Sequence, residues 1–291
     1  MSHHSERAVT VVIPAYDQAE FIDDCLDSIA AQTWSGPIDV VVIDDESPDD
    51  IADRARAHRL APRVIRQPNT GVAGARNRGI RAASHPWIAF LDADDRWAPH
   101  KLAAQMDALL DLNRPALSFC RYRRHTADGD VVDIAAEHPA QDLQPTPRKL
   151  MRQNFIGTST VVTHRCCLQR CGGFPESPQL RDGGQDYALW LRIAAYFPLV
   201  YAPTVGMHYT VHHNNRVGTD PAHHHRGGLE ALRDLRQWDP HRFRSLASNS
   251  LAPLITYRTG KFLADAWLTH RRQFPSGAVG RALRTTLSMT I

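Results

Sequence analysis

Three carboxylates arrive within four positions at Asp92-Ala93-Asp94-Asp95, directly after the apolar run Pro86-Trp87-Ile88-Ala89-Phe90-Leu91. Burying such a cluster is costly unless a cation or hydrogen bonds compensate it. The apolar run reads as a buried strand. Acids at the C-terminal tip of a strand point to a ligand site, because open α/β sheets bind ligands along that edge. Oxygen ligands of this kind suit a hard divalent cation, Mg2+ or Mn2+, which would hold a phosphate-bearing partner. The competing reading is an acidic turn that caps the following helix. A second cluster, Asp44-Asp45-Glu46, ends another apolar run, Ile38 to Ile43. One acidic strand end is common, whereas two in one sheet favour a site. A third acid, Asp186, opens a helical pattern after Gly183-Gly184-Gln185. A helix N-cap, or a favourable charge on the helix dipole, is the alternative for it.

These acids need elements to carry them. Val9 to Ile13 is continuous and β-branched, a strand buried on both faces. Glu20 to Ala31 spaces Phe21, Ile22, Cys25, Leu26 and Ile29 as a helix does. Ile38 to Ile43 is the second strand. Ser47-Pro48-Asp49-Asp50 predicts a helix start, with Ser47 as N-cap and Pro48 first in the helix. Val64 to Arg66 is a short third strand, Val72 to Ala83 a helix, and the run before Asp92 the fourth strand. A helix follows from His100 to Leu110. Four strand–helix alternations predict a parallel sheet with helices on both faces. The glycine-rich fingerprint GxGxxG is absent after the first strand.

Beyond residue 115 the pattern is less regular. Leu117 to Tyr122 reads as a strand, and Asp128-Gly129-Asp130 as a hairpin turn leading to Val131–Ile134. Ala135 to Pro147 reads as a loop and Thr158 to Thr163 as a strand. Gly172 to Pro175 reads as a tight turn, Tyr187 to Tyr196 as a helix. Leu199 to Tyr201 and Val205 to Val211 read as two strands, and the chain beyond Gly218 as helical and Arg-rich.

Composition sets the outer bounds. The 291 residues are 43% hydrophobic and 22% charged, an ordinary globular balance. That length suits one large domain, or one with an appendage. A net charge of +3 does not by itself argue for nucleic acid. The five cysteines form no CxxC pair, which argues against a zinc ribbon or a disulfide framework. Cys166, Cys167 and Cys171 read as small core residues. No apolar leader precedes Val9, so no secretory signal is expected. No window approaches the ~18 apolar residues of a membrane span. His223-His224-His225 reads as a solvated loop in preference to a metal tract. The segment Trp267 to Ile291 suits either an anionic membrane surface or a terminal helix packed on the domain.

Taken in order, the motifs resemble those of a family 2 glycosyltransferase with the GT-A fold. They are Val12 to Tyr16, Ile43 to Asp50, Asn69 to Ile80, Phe90 to Asp95, Gly172 to Glu176 and Gln185 to Arg192, with Tyr209 to Asn215 similar to the family's closing tyrosine–histidine segment. The resemblance spans about residues 8–217. It implies that Pro14, Ala15 and Tyr16 line a nucleoside pocket, that Asp45 faces the base, and that Arg76 approaches the nucleotide. It implies that Asp92, Ala93 and Asp94 form the DxD motif on a Mn2+ or Mg2+ diphosphate, with Asp95 beside the donor sugar. Asp186 would be the catalytic base, and His212 would complete the metal site. Two departures stand out. Gln185 replaces the Glu of the usual Glu-Asp pair. Thr210 replaces the Arg after the closing Tyr, which leaves His212 and His213 as rival ligands.

The function implied is inverting, metal-dependent transfer of a sugar from a nucleotide sugar, UDP-linked above all, to a hydroxyl acceptor. Cell-surface polysaccharide or glycolipid synthesis is the expected setting, on a saccharide or lipid-linked acceptor. The protein would be cytoplasmic, with peripheral membrane association an option. Residues 1–125 would bind the donor, 126–217 would carry the base and acceptor site of the same domain, and 218–291 would be a helical extension. Two rivals are a catalytically weak nucleotide-sugar-binding scaffold, motivated by Gln185, and a sugar nucleotidyltransferase. The latter ranks low because those enzymes open with a glycine-rich loop, where this chain has Pro14-Ala15-Tyr16-Asp17.

Overall fold

The structure, a computed structural model, describes residues 6–125, 131–133, 145–181, 183–211 and 221–247. The strands are β1 (Val9–Ala15), β2 (Ile38–Asp44), β3 (Arg63–Arg66), β4 (Trp87–Phe90), β5 (Arg96–Trp97), β6 (Leu117–His125), β7 (Val131–Asp133), β8 (Val162–His164) and β9 (Leu199–Thr210). The helices are α1 (Ile22–Ala30), α2 (Ile51–Ala57), α3 (Gly71–Ala82), α4 (Lys101–Leu112), α5 (Pro147–Arg152), α6 (Arg165–Cys171), α7 (Gln185–Ala194), α8 (Pro221–Trp238) and α9 (Pro240–Ala247). A 3-10 turn at Thr158–Thr160 precedes β8.

The strands form one sheet in the order β3-β2-β1-β4-β8-β6-β9-β5, with β7 on β6. From β3 to β4 every pairing is parallel, as the strand–helix alternation predicts. Beyond β4 the sheet is mixed: β8 is antiparallel to both neighbours, and β6 and β9 run parallel. β1 is buried at all seven positions because helices cover both its faces. Consequently β2 and β4 flank β1, and their acidic C-terminal ends lie on the same edge.

Helix α3 sits tight on β1. A Cβ at Gly79 would come within 2.1 Å of a Val12 methyl, so only glycine allows this approach. Ala73 and Ala75 are also buried on this helix. Phe90 packs edge-on against Phe174 at 5.1 Å, and both rings meet Trp190 of α7. This aromatic cluster joins the parallel half of the sheet to the helix that carries Asp186.

Several local expectations need correction. Ser47 does not cap α2, which starts at Ile51 with Asp50 at its N-cap. The Ser47 hydroxyl instead donates to Asp49, which accepts the Ala19 and Ile51 amides. Thr158 to Thr163 is not one strand: its first three residues form the 3-10 turn and only Val162–His164 pairs. The loop expected through Pro147 gives way to α5, whose Thr146 cap accepts the Lys149 amide. Residues 199–210 form one irregular strand in place of two. The hairpin pairing of β6 with β7 is present, while its turn, Asp128 to Asp130, lies outside the described residues. So do most of the loop after β7, His212, His213, and the segment Trp267 to Ile291; of the His223–His225 side chains nothing is described. Among the described residues no helix is long and apolar enough to cross a membrane.

Candidate active site at the strand ends

The acids after β2 are supplied by several donors, although the buried Asp44 Oδ2 faces Arg66 without making a hydrogen bond among the described residues. Asp44 is fully buried, accepts the Ser47 amide at 2.8 Å and faces Arg66 at 3.1 Å. Asp45 accepts the Thr70 amide at 3.0 Å, the Gly71 amide at 2.8 Å and the Gln67 side chain at 2.8 Å. Its amide donates to the Ala15 carbonyl. Asp45 therefore fastens the start of α3 to the end of β1, and only 3% of it is exposed. Pro14 and Ala15 are buried, while Tyr16 stands 48% exposed beside them.

The acids after β4 are different. Asp92 is half-buried and accepts one strong charge-assisted hydrogen bond, from Arg76 at 2.6 Å. Arg76 is itself buried, with its guanidinium over the Phe174 ring at 5.3 Å. Ala93 is buried, Asp94 half-buried and Asp95 almost fully buried. Asp95 Oδ2 accepts the Ser159 hydroxyl at 2.5 Å, and its Oδ1 has no hydrogen-bond partner of normal geometry among the described residues. Burial, and then the charges of Asp94 and Asp92, hold the Asp95 carboxyl well above the usual carboxylate range. The same negative field reaches further. Burial first, and these acids second, push up the Cys25 thiol behind the cluster and the Tyr209 phenol in front of it.

This is a set of hard oxygen donors in which three acids lie together and Arg76 pairs with one of them, and it fits a divalent cation. Among the described residues no three His, Cys, Asp or Glu side chains converge as a ready-made metal cage. The arrangement therefore suits a Mg2+-like mode, in which one or two carboxylates hold the ion and a substrate phosphate supplies further oxygens.

Asp186 is the second residue of α7. Its Oδ2 accepts the Thr158 hydroxyl at 3.2 Å, and its Oδ1 accepts the Tyr187 amide at 2.7 Å. Gly184 precedes the helix at φ 92°, and a Cβ there would meet the Gly227 carbonyl at 2.5 Å. Helix α8 thus packs backbone to backbone against the start of α7. Further along, Arg192 grips Asp234 of α8 with two hydrogen bonds, of 2.8 and 2.7 Å. Gln185 is buried and donates to the Arg181 carbonyl at 3.0 Å, which a glutamate could not do. Its departure from the usual acid thus has a local cause.

Thr158 and Ser159 escape a reading from sequence motifs, while Tyr209 and Asn77 lie in those motifs without an assigned role. Thr158 and Ser159 touch the acids on both sides. Tyr209 stands close enough to the cluster to feel it. Asn77 ties α3 to the turn at Phe174, donating to the Phe174 carbonyl and to Glu176 and accepting the Phe174 amide. Among the described residues, cavities of about 220 and 370 Å3 lie at the opposite end of the sheet, around Ile38 and Pro86, and neither holds one of these acids.

The Glycosyl transferase family 2 model matches residues 10–175. TuaG of Bacillus subtilis, named for teichuronic acid biosynthesis, is 29% identical over 192 residues, 64% of this chain and 71% of TuaG. Across its curated relatives the chain spans between 71% and as little as 27% of their length. The structure of S. aureus TarS in complex with UDP aligns at a TM-score of 0.61 and 17% identity, over 91% of this chain and 73% of that one. A mannosyltransferase from Pyrobaculum calidifontis, in complex with GDP-Man and Mn2+, aligns at 0.54 and 20% identity, over 97% and 79%. Likeness at such identities establishes a shared fold.

Proposed function

The chain belongs to glycosyl transferase family 2, and from that premise we propose that it moves a sugar from a nucleotide sugar, UDP-linked in preference, to a hydroxyl acceptor with inversion at the anomeric carbon. The observation that carries this reading is the crowded acid cluster Asp92/Asp94/Asp95, joined through one turn to the separate acid Asp186. UDP in the TarS complex, and GDP-Man with Mn2+ in the other, support a nucleotide-sugar donor and a metal. The role of TuaG supports a setting in cell-surface polysaccharide synthesis.

The residues divide the work. Asp92 and Asp94 hold the Mn2+ or Mg2+ diphosphate, and His212 is the candidate for a further ligand. A metal there acts as a Lewis acid that neutralises charge on the leaving phosphate. Arg76, paired with Asp92, is the cation that would approach the nucleotide. Pro14, Ala15 and the exposed Tyr16 ring line the nucleoside side. Asp45 faces the base in this reading, and it also fixes Thr70 and Gly71 at the head of α3. Asp95 borders the donor sugar. Asp186 takes the proton of the acceptor hydroxyl as it attacks the face opposite the leaving group. Residues 1–125 serve the donor and 126–217 the base. The extension beyond 218 acts through α8, which braces α7.

The test is a thermal-shift screen of nucleotides and nucleotide sugars with and without Mn2+. A Mn2+-dependent shift with UDP and its sugars is expected. Asp186→Asn should retain that shift and lose transfer by about 10²–10⁴-fold. Normal turnover by this variant would remove Asp186 as the base. Binding in the wild type with no donor consumption above the no-enzyme control would favour the scaffold reading instead.

A further inference from the structure

Thr158 and Ser159 are consecutive residues in one 3-10 turn, and both are buried. With about three residues per turn, neighbouring side chains point about a third of a circle apart. The two hydroxyls therefore serve different sides. Ser159 accepts the Asp92 amide at 3.0 Å and donates to Asp95 at 2.5 Å. Thr158 donates to Asp186 at 3.2 Å. The turn itself is anchored in the core, because the Ser159 carbonyl accepts the Trp97 indole N–H at 2.8 Å and the Thr160 carbonyl accepts Gln105 at 3.0 Å.

We propose that Thr158 and Ser159 are positioning residues that set the two halves of the transfer reaction relative to each other. Ser159 fixes the strand-end acids on the leaving-group side, and Thr158 fixes the base on the acceptor side. This rests on the function proposed above. Its physical content is that the acids separated by about ninety positions in sequence share a support of two adjacent residues. Displacing that support moves leaving-group stabilisation and proton removal together. Partners of this kind, behind the groups that do the chemistry, typically change metal affinity or activity by about 10–100-fold.

The test uses three near-isosteric variants of the full chain. Calorimetry measures Mn2+·UDP binding, and turnover is measured with the nucleotide sugar of largest Mn2+-dependent thermal shift. Ser159→Ala is expected to weaken Mn2+·UDP binding about tenfold or more. Thr158→Val is expected to leave that binding unchanged while kcat falls about tenfold or more, with Thr158→Ser restoring it. Thr160→Val, whose hydroxyl donates only to Gly157 within the turn, is the control for packing and should change neither. If all three variants lose binding and turnover in proportion to their loss of thermal stability, the turn is merely structural and the proposal is overturned. It is overturned equally if neither Thr158→Val nor Ser159→Ala departs from wild type. Should Asp92→Asn and Asp186→Asn also behave as wild type, the failure lies in the underlying function.

Discussion

The ends of β2 and β4 read almost alike, Ile43-Asp44-Asp45 against Leu91-Asp92-Ala93-Asp94-Asp95, and they flank the same strand. Their surroundings have opposite character. Behind β2, three amides, a glutamine and an arginine face two carboxylates. Behind β4, Asp92 accepts from Arg76 and Asp95 from Ser159, and the charges of Asp92 and Asp94 crowd the buried Asp95. Burial alone does not tell them apart, since Asp45 and Asp95 are 3% and 2% exposed. Supply of donors does. An acid tied by several donors holds the fold, and one crowded by its own kind holds charge ready for a ligand.

The largest test of this contrast is Asp92→Asn. It should weaken Mn2+-dependent UDP binding by about 100-fold or more, measured by calorimetry, with little loss of stability. Asp45→Ala should do the reverse. It removes the acceptor of the Thr70 amide and one of the two acceptors of the Gly71 amide and of Gln67, at about 2 kcal/mol in urea denaturation, while metal-dependent binding survives in the folded fraction. A Mn2+-blind Asp45→Ala protein of normal stability would break the comparison.

Lys101 extends the contrast to a cation. It is fully buried at the head of α4, its Nζ 3.9 Å from the Trp97 ring centre, with no hydrogen-bond partner among the described residues. Burial lowers its pKa from 10.5 to about 8. The unfolded chain therefore binds the extra proton between these values. The native state carries the full penalty below pH 8 and sheds it as pH rises to 10.5. Lys101→Met should be more stable than wild type by about 2 kcal/mol at pH 7, after loss of the ring contact, and the gain should vanish toward pH 10.5. A gain that is flat with pH would show that packing, not charge, is responsible. The smallest effect is expected for Asp95→Asn. Removing one of three crowded charges should raise metal-free thermal stability by about 1 kcal/mol at neutral pH, opposite in sign to Asp45→Ala.

Sequence patterning reaches the parallel block well, because its buried strands β1, β2 and β4 are continuous apolar runs and the helices between them carry buried apolar residues. It places Asp92, Asp94 and Asp186 for the same reason: they sit at the boundaries of strongly periodic elements. It does not separate Asp45 from Asp95, since the donors to Asp45 come from residues 22 to 26 positions away. Nor does it find Ser159, because Thr158 to Thr163 is β-branched and the anchoring indole and amide come from β5 and α4. Helix α5 was within reach: Thr146-Pro147 is an N-cap followed by proline, masked by the polar run before it.

The insertion of β8 beside β4 has a consequence for how the chain reaches this state. During synthesis β3, β2, β1 and β4 are complete before residue 100, yet the outer edge of β4 is closed only by Val162–His164. Until those residues emerge, an intermediate of the first half displays an unpaired edge beside its acidic tip. Open edges of that kind template misassembly between chains. A fragment ending at residue 125 should therefore self-associate, and one that includes β8 and α6 should not. The strand that completes the donor side of the sheet belongs, in chain order, to the half that carries the base.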